Sequence, residues 1–143
     1  MRLKIKRLDP AVGLPQAATN RSAGFDLASA VDIEIPPRSI RLVGTGLVIA
    51  VPEGHFLGIF ARSSTPLKRG LLVANGVGVI DADYCGPADE IKIQLLNFTD
   101  APVHIKRGDR LAQGIVLPSP SIEWSEVTEI AEPTRGGFGS TGN

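Results

Sequence analysis

The sequence predicts an all-β fold, a compact barrel or jelly roll. Three observations carry this. Gly and Pro number 16 and 11 in 143 residues, and they punctuate short runs of Val, Ile and Leu, the pattern of many short strands joined by turns. Several of those runs alternate apolar and polar residues with period two, as half-buried strands do. No apolar stripe of helical period lasts longer than about a turn or two. At this length the chain is expected to form one domain with a substantial core.

Taken in order, LKIKRL at 3–8 alternates with period two, and VDIEIP at 31–36 does so again and then meets the Pro36-Pro37 stop. SIRLVGTGLVIAVP at 39–52 is a long β-rich run broken by Gly44 and Gly46, which predicts a bulge or bend. HFLGIFAR, EIKIQLLNF, VHIKRGDRLAQGIVL and SIEWSEVTEI are further strand candidates. One helix is predicted in TPLKRG, with Thr65 as N-cap, Pro66 at the first helical position and Gly70 just beyond the end. The Gly-rich ending EPTRGGFGSTGN cannot bury a core. The domain is therefore expected to span 1–130, with 131–143 as a mobile tail.

Charge narrows the function. Lys plus Arg and Asp plus Glu are 15 each, a formal net charge of zero. General binding to nucleic acid or to a membrane surface needs a basic excess or patch, so neither is expected. Basic residues can still converge on a small anion. Cys85 is the only cysteine, which excludes an internal disulfide and a Cys-based zinc site and fits a reducing, cytoplasmic setting. No apolar run approaches the roughly 20 residues that span a bilayer. The basic-apolar alternation of MRLKIKRL is unlike a signal peptide.

Three stretches could carry chemistry. RSST at 62–65 offers a guanidinium, hydroxyls and backbone N–H groups at a helix start, a small phosphate cradle; the plainer alternative is a polar turn with an ordinary cap. RGGFGSTG at 135–142 combines glycines that permit close wrapping, a cation, hydroxyl donors and a lone aromatic, Phe138. That ring would make sense stacked on a base, or the segment is simply a disordered terminus. VGVIDADYCG at 77–86 ends an apolar run in Asp81, Asp83 and Tyr84. One acid could orient a water, or both are turn-forming. D-A-D-Y lacks the further ligands of a calcium loop. Neither His55 nor His104 belongs to a nucleophile-base arrangement, and both read as structural. Together an anion cradle, a stacking ring and an acid at a strand end in a small β domain suggest a nucleotide phosphohydrolase.

Five segments in order carry a resemblance: AGFDLASA (23–30), ARSSTPLKRGL (61–71), NGVGVIDADYCG (75–86), RGDRLAQGI (107–115) and RGGFGSTG (135–142). With them the sequence resembles the trimeric dUTPases, from residue 23 to the C-terminus. The resemblance implies a jelly-roll β-barrel, a homotrimer with active sites at subunit interfaces, and hydrolysis of dUTP to dUMP and diphosphate with Mg²⁺, supplying dUMP for thymidylate synthesis. It implies that Asp81 activates the water attacking the α-phosphorus and that Tyr84 packs on the deoxyribose. Asn75 and the hairpin through Gly78 would read uracil, while Arg62, Ser63, Ser64 and Gln113 hold phosphates. Asp26 would position the Mg²⁺ shell through water. Phe138 would cap the base, with Arg135, Gly139, Ser140 and Thr141 closing over the phosphates.

The sequence departs from the family pattern in three of these segments, the second, the third and the fifth. Thr65-Pro66 replaces a small apolar pair, Cys85 stands where a basic residue is usual, and Pro87-Ala88-Asp89 lengthen the path to Glu90, which predicts a surface bulge. Arg135 is also followed directly by GGFG, where many relatives have two more residues. The competing reading is dCTP deaminase, alone or bifunctional, which shares the fold and the ARSS element. Its catalytic base is a Glu where this chain has Gln94 in IKIQLLN, and Gln cannot act as a general base.

Overall fold

The computed structural model describes residues 1–137. Four antiparallel sheets account for its regular structure. β1 (Lys4–Arg7) pairs with β5 (Leu47–Ala50), and β3 (Ile33–Ile35) with β10 (Val103–Ile105). A three-stranded sheet runs β4 (Ile40–Gly44), β9 (Lys92–Asn97), β7 (Leu71–Val73). A four-stranded sheet runs β2 (Phe25–Ala28), β11 (Arg110–Pro118), β6 (His55–Ala61), β8 (Gly78–Ile80). A single short helix, α1 (Ser64–Arg69), links β6 to β7. The expected all-β, jelly-roll-like class is the one observed.

Alternation explains the packing. In β9, Ile93, Leu95 and Asn97 point inward while Lys92 stays exposed. Leu27, Ile35, Leu57, Leu71, Ile91, Ile93, Leu95 and Leu111 are fully buried, and one continuous core joins the sheets. Each such side chain contributes about 1.5–3 kcal/mol through burial. The one amide among them, Asn97, is fully satisfied: Nδ2 donates to the carbonyls of Ile35, Pro36 and Ala101, and Oδ1 accepts from the N–H and hydroxyl of Thr99.

The run 39–52 does break where its glycines predict. Gly46 sits at φ +65° between β4 and β5. VHIKRGDRLAQGIVL divides into β10 and β11 around Gly108, at φ +87°. Two expectations fail. α1 begins at Ser64 with Ser63 as an N-cap that makes no side-chain cap bond. Thr65 is buried inside the helix, where its hydroxyl donates to the Leu111 carbonyl at 2.9 Å. Tertiary pairing to β11 outcompetes the capping role, and Pro66, still within the first turn, loses no helical hydrogen bond there. Gly70 closes the helix as expected, at φ +65°. The second failure is SIEWSEVTEI, which forms no strand. Its Ile122, Trp124, Val127 and Ile130 are exposed, so within this chain it finds no sheet edge to pair with.

The insertion at 87–89 is a self-closed surface turn, as expected. Gly86 N–H donates to Asp89 Oδ2 at 2.7 Å, and Asp89 N–H donates back to the Gly86 carbonyl at 3.1 Å. Lys6 Nζ donates to the Pro87 carbonyl at 2.8 Å, tying the turn to β1.

Candidate active site

Strand pairing gathers the first half of the candidate site. In β11, Gln113 lies opposite Asp26 of β2 on one side and Phe60 of β6 on the other. Arg62 leaves the end of β6 at the same end of the sheet. The Asp26 carboxylate, about one-fifth exposed, meets two guanidiniums: Arg62 Nε on Oδ1 at 2.7 Å and Arg110 Nη1 on Oδ2 at 3.0 Å. Arg62 Nη1 also donates to the Arg110 carbonyl at 3.3 Å. Gln113 Nε2 donates to the Ala61 carbonyl at 3.0 Å, which holds its side chain beside this corner. Ser63 and Ser64 follow Arg62 into α1. Two cations on one carboxylate leave a net positive corner, suited to phosphate.

Arg110 was not among the residues singled out by sequence, although it lies in the RGDRLAQGI segment. By simple alternation Arg110 and Gln113, three apart, should face opposite ways. A register shift between Arg110 and Ala112 breaks the alternation, and Leu111 and Ala112 are buried in succession. This bulge turns Arg110 onto the Asp26 side. An irregularity of one residue is not visible in the hydrophobic pattern.

A cavity of about 520 Å³ opens beside the same corner, lined by Asp26, Arg107, Arg110 and the segment 11–18. Arg107 is engaged elsewhere, with Nη2 on Asp9 Oδ2 at 2.7 Å.

The second half lies across the sheet. β8 pairs with β6 through Gly78↔Ile59 and Ile80↔Leu57. Asn75, exposed, sits in the turn before it, where Gly76 N–H donates to the Val73 carbonyl at 3.0 Å. Asp81 follows the strand and is exposed, and its carbonyl accepts from Tyr84 N–H at 3.2 Å. Tyr84 is partly open to solvent, and its hydroxyl donates to the Glu90 carbonyl at 3.2 Å. Cys85 is exposed.

The two halves do not meet within one chain. Extending the β6–β8 register by one step sets Asp81 beside Phe56, six residues along β6 from Arg62. At about 3.3 Å per residue the separation is roughly 20 Å. An acid and a guanidinium serving one phosphate would lie within roughly 10 Å. Arg135 is exposed beyond the last strand, and Phe138, Gly139, Ser140 and Thr141 lie outside the described residues.

Among the described residues no three His, Cys, Asp or Glu side chains cluster as a metal cage. Asp26 alone fits an outer role toward Mg²⁺, an ion held chiefly by substrate phosphates, waters and one or two carboxylates. No described helix is long and apolar enough to cross a membrane.

Guanidiniums for phosphate and a carboxylate for water are the chemistry of nucleotide phosphohydrolases, and the comparisons with known proteins narrow that class. A family model described as dUTPase matches residues 11–142. The deoxyuridine 5'-triphosphate nucleotidohydrolase of Nautilia profundicola is 41% identical over 144 aligned positions, covering 99% of each protein. The crystal structure of dUTPase from Streptococcus mutans superposes with a TM-score of 0.78 at 37% identity, over 85% of this chain and 98% of that one. A mutant dUTPase of Staphylococcus bacteriophage 80alpha, solved with dUpNHpp, superposes at 0.88 with 23% identity over 99% of both, a likeness of fold. The chain belongs to the dUTPase family.

Proposed function

We infer that this chain hydrolyses dUTP to dUMP and diphosphate, and that its active sites form between the subunits of a homotrimer. The observation carrying the second point is the roughly 20 Å between Asp81 and Arg62 in one chain, set by the β6–β8 register. A site needing both must take them from different copies. Arg62, Gln113 and Asp26 come from one subunit. Asp81, Tyr84 and the Asn75–Gly78 turn come from a neighbour.

In this reading the Arg62–Arg110 corner and the hydroxyls of Ser63 and Ser64 neutralise and orient the phosphates. Positioning and charge neutralisation dominate phosphoryl-type substitution. The Asp81 carboxylate accepts a proton from a water in line with the α-phosphorus, at about 2.6–3.2 Å. The water oxygen bonds to phosphorus as the bond to the bridging oxygen breaks, and diphosphate departs. The Tyr84 ring packs on the deoxyribose and leaves no room for a 2′-hydroxyl. The backbone of the Asn75–Gly78 turn reads the uracil edge. Asp26 would orient waters around a Mg²⁺ ion, which when bound would supply further charge neutralisation. The tail, 131–143, closes over the site, with Arg135, Ser140 and Thr141 on phosphates, Gly139 permitting close approach and Phe138 over the base. A cytoplasmic role in keeping dUTP low and supplying dUMP fits this activity.

The test is diphosphate release from a panel of nucleoside triphosphates with Mg²⁺, on the chain and on Asp81→Asn. The expected result is release from dUTP by the native chain and a loss of about a thousandfold or more in Asp81→Asn, with binding of a non-hydrolysable analogue retained. Ammonia from dCTP with no diphosphate from dUTP would instead establish the deaminase. Near-normal turnover by Asp81→Asn would remove Asp81 from water activation.

A further inference from the structure

We propose that Arg110 is a positioning residue for the phosphate-binding Arg62, acting through Asp26; this rests on the dUTPase reading above. Arg62 is held at two points, Nε on Asp26 Oδ1 at 2.7 Å and Nη1 on the Arg110 carbonyl at 3.3 Å. A guanidinium carries five N–H donors. Among the described residues the Nη1 bond to the Arg110 carbonyl is the one hydrogen bond the Arg62 side chain makes to protein, the Nε contact to Asp26 being an ion pair, and the remaining Nη edge is the one available to phosphate. That edge stays open because Asp26 offers Arg62 only one oxygen. Arg110 Nη1 occupies the other at 3.0 Å.

Without the Arg110 side chain, the carboxylate can turn about its soft terminal torsion and take Arg62 with both oxygens, the favoured fork geometry for this pair. The N–H groups meant for phosphate would then be spent on Asp26, and the pair would be neutral where the three-residue corner is positive. The β11 bulge between Arg110 and Ala112 is the device that turns Arg110 to this task. The Arg110 side chain is itself well exposed, at 60%, so its ion pair is not needed to fill the core.

The mechanism makes the loss conditional on Asp26, which separates it from direct phosphate contact. The experiment measures, by calorimetry, binding of a dUTP analogue with a non-hydrolysable α,β-imido bond to four proteins: native, Arg110→Gln, Asp26→Asn and the double variant. The result expected is about a tenfold weaker affinity for Arg110→Gln in the native background. In the Asp26→Asn background the same change should cost less than twofold, because Asn cannot sequester Arg62. Arg110→Lys, which still occupies Oδ2, should stay within about threefold of native. An equal loss in both backgrounds would overturn the proposal in favour of Arg110 touching phosphate itself, and no loss in either would overturn it outright. Failure of the native chain to bind the analogue would strike the dUTPase reading and not this one alone.

Discussion

At the residue scale, the acids of this chain divide by what holds them. Asp109 accepts from Arg69 Nη1 at 2.8 Å and from Lys106 N–H at 3.0 Å, both on Oδ2. The hydrogen bond from Arg69 is the largest cause holding its carboxyl below the ordinary carboxylate range, against a smaller opposing effect of burial. A carboxyl depressed in the folded state stabilises the fold above its unfolded value, near pH 4, and that stability is lost as pH falls through the folded value. Asp109→Asn should therefore be less stable than the native chain at pH 7, with the gap closing toward pH 3. Denaturant unfolding at both pH values measures this, and a gap of constant size would contradict the link. Sequence singled out Asp81, Tyr84, Asn75 and Gln113 as site candidates, because motif spacing survives without coordinates. It did not make Arg110 legible, because a one-residue bulge changes a side chain's face while leaving the hydrophobic pattern intact.

Burial alternates cleanly in β9, while β5 is buried on both faces and β1 is exposed along its length. β1, β3, β4, β5, β6 and β9 fall inside the runs that predict them. β2, β7 and β8, three or four residues long, lie outside those runs, within segments read for their motifs and turns. The helix start was misplaced because Thr65 reads as a cap by composition but is captured by the Leu111 carbonyl. A single residue anchors several elements at once. Asn97, at the end of β9, shares its two Nδ2 hydrogens among the carbonyls of Ile35, Pro36 and Ala101 and accepts two bonds from Thr99. Asn97→Ala would strand those buried groups, each costing about 1–3 kcal/mol when left unmade. A destabilisation of about 3 kcal/mol is expected from chemical denaturation, and a change below about 0.5 kcal/mol would show that water replaces the amide.

For the whole molecule, the informative features are those one chain cannot satisfy. Ile40, Leu42 and Leu72 are exposed on the β4–β9–β7 sheet, where Ile40 and Leu72 both lie opposite Leu96. Ile122, Trp124, Val127 and Ile130 are exposed in a segment with strand-like sequence and no strand partner. Contiguous apolar surface of this kind is what association sites present. The strand expectation for 121–130 fails because strand-like composition does not by itself supply a neighbouring edge. The same incompleteness marks the candidate site, whose Arg62 corner and Asp81 lie six residues apart along β6.

The proposal of a site shared between subunits is tested by mixing two variants. Asp81→Asn keeps the Arg62 corner intact, and Arg62→Gln keeps Asp81 intact. Each alone should release diphosphate from dUTP at a small fraction of the native rate. Unfolded together and refolded as mixed trimers, confirmed by native mass spectrometry, they should regain a substantial part of that rate, because some sites then combine a native Asp81 from one subunit with a native Arg62 from another. Mixed trimers that form and remain as inactive as the separate variants would contradict a site built between chains.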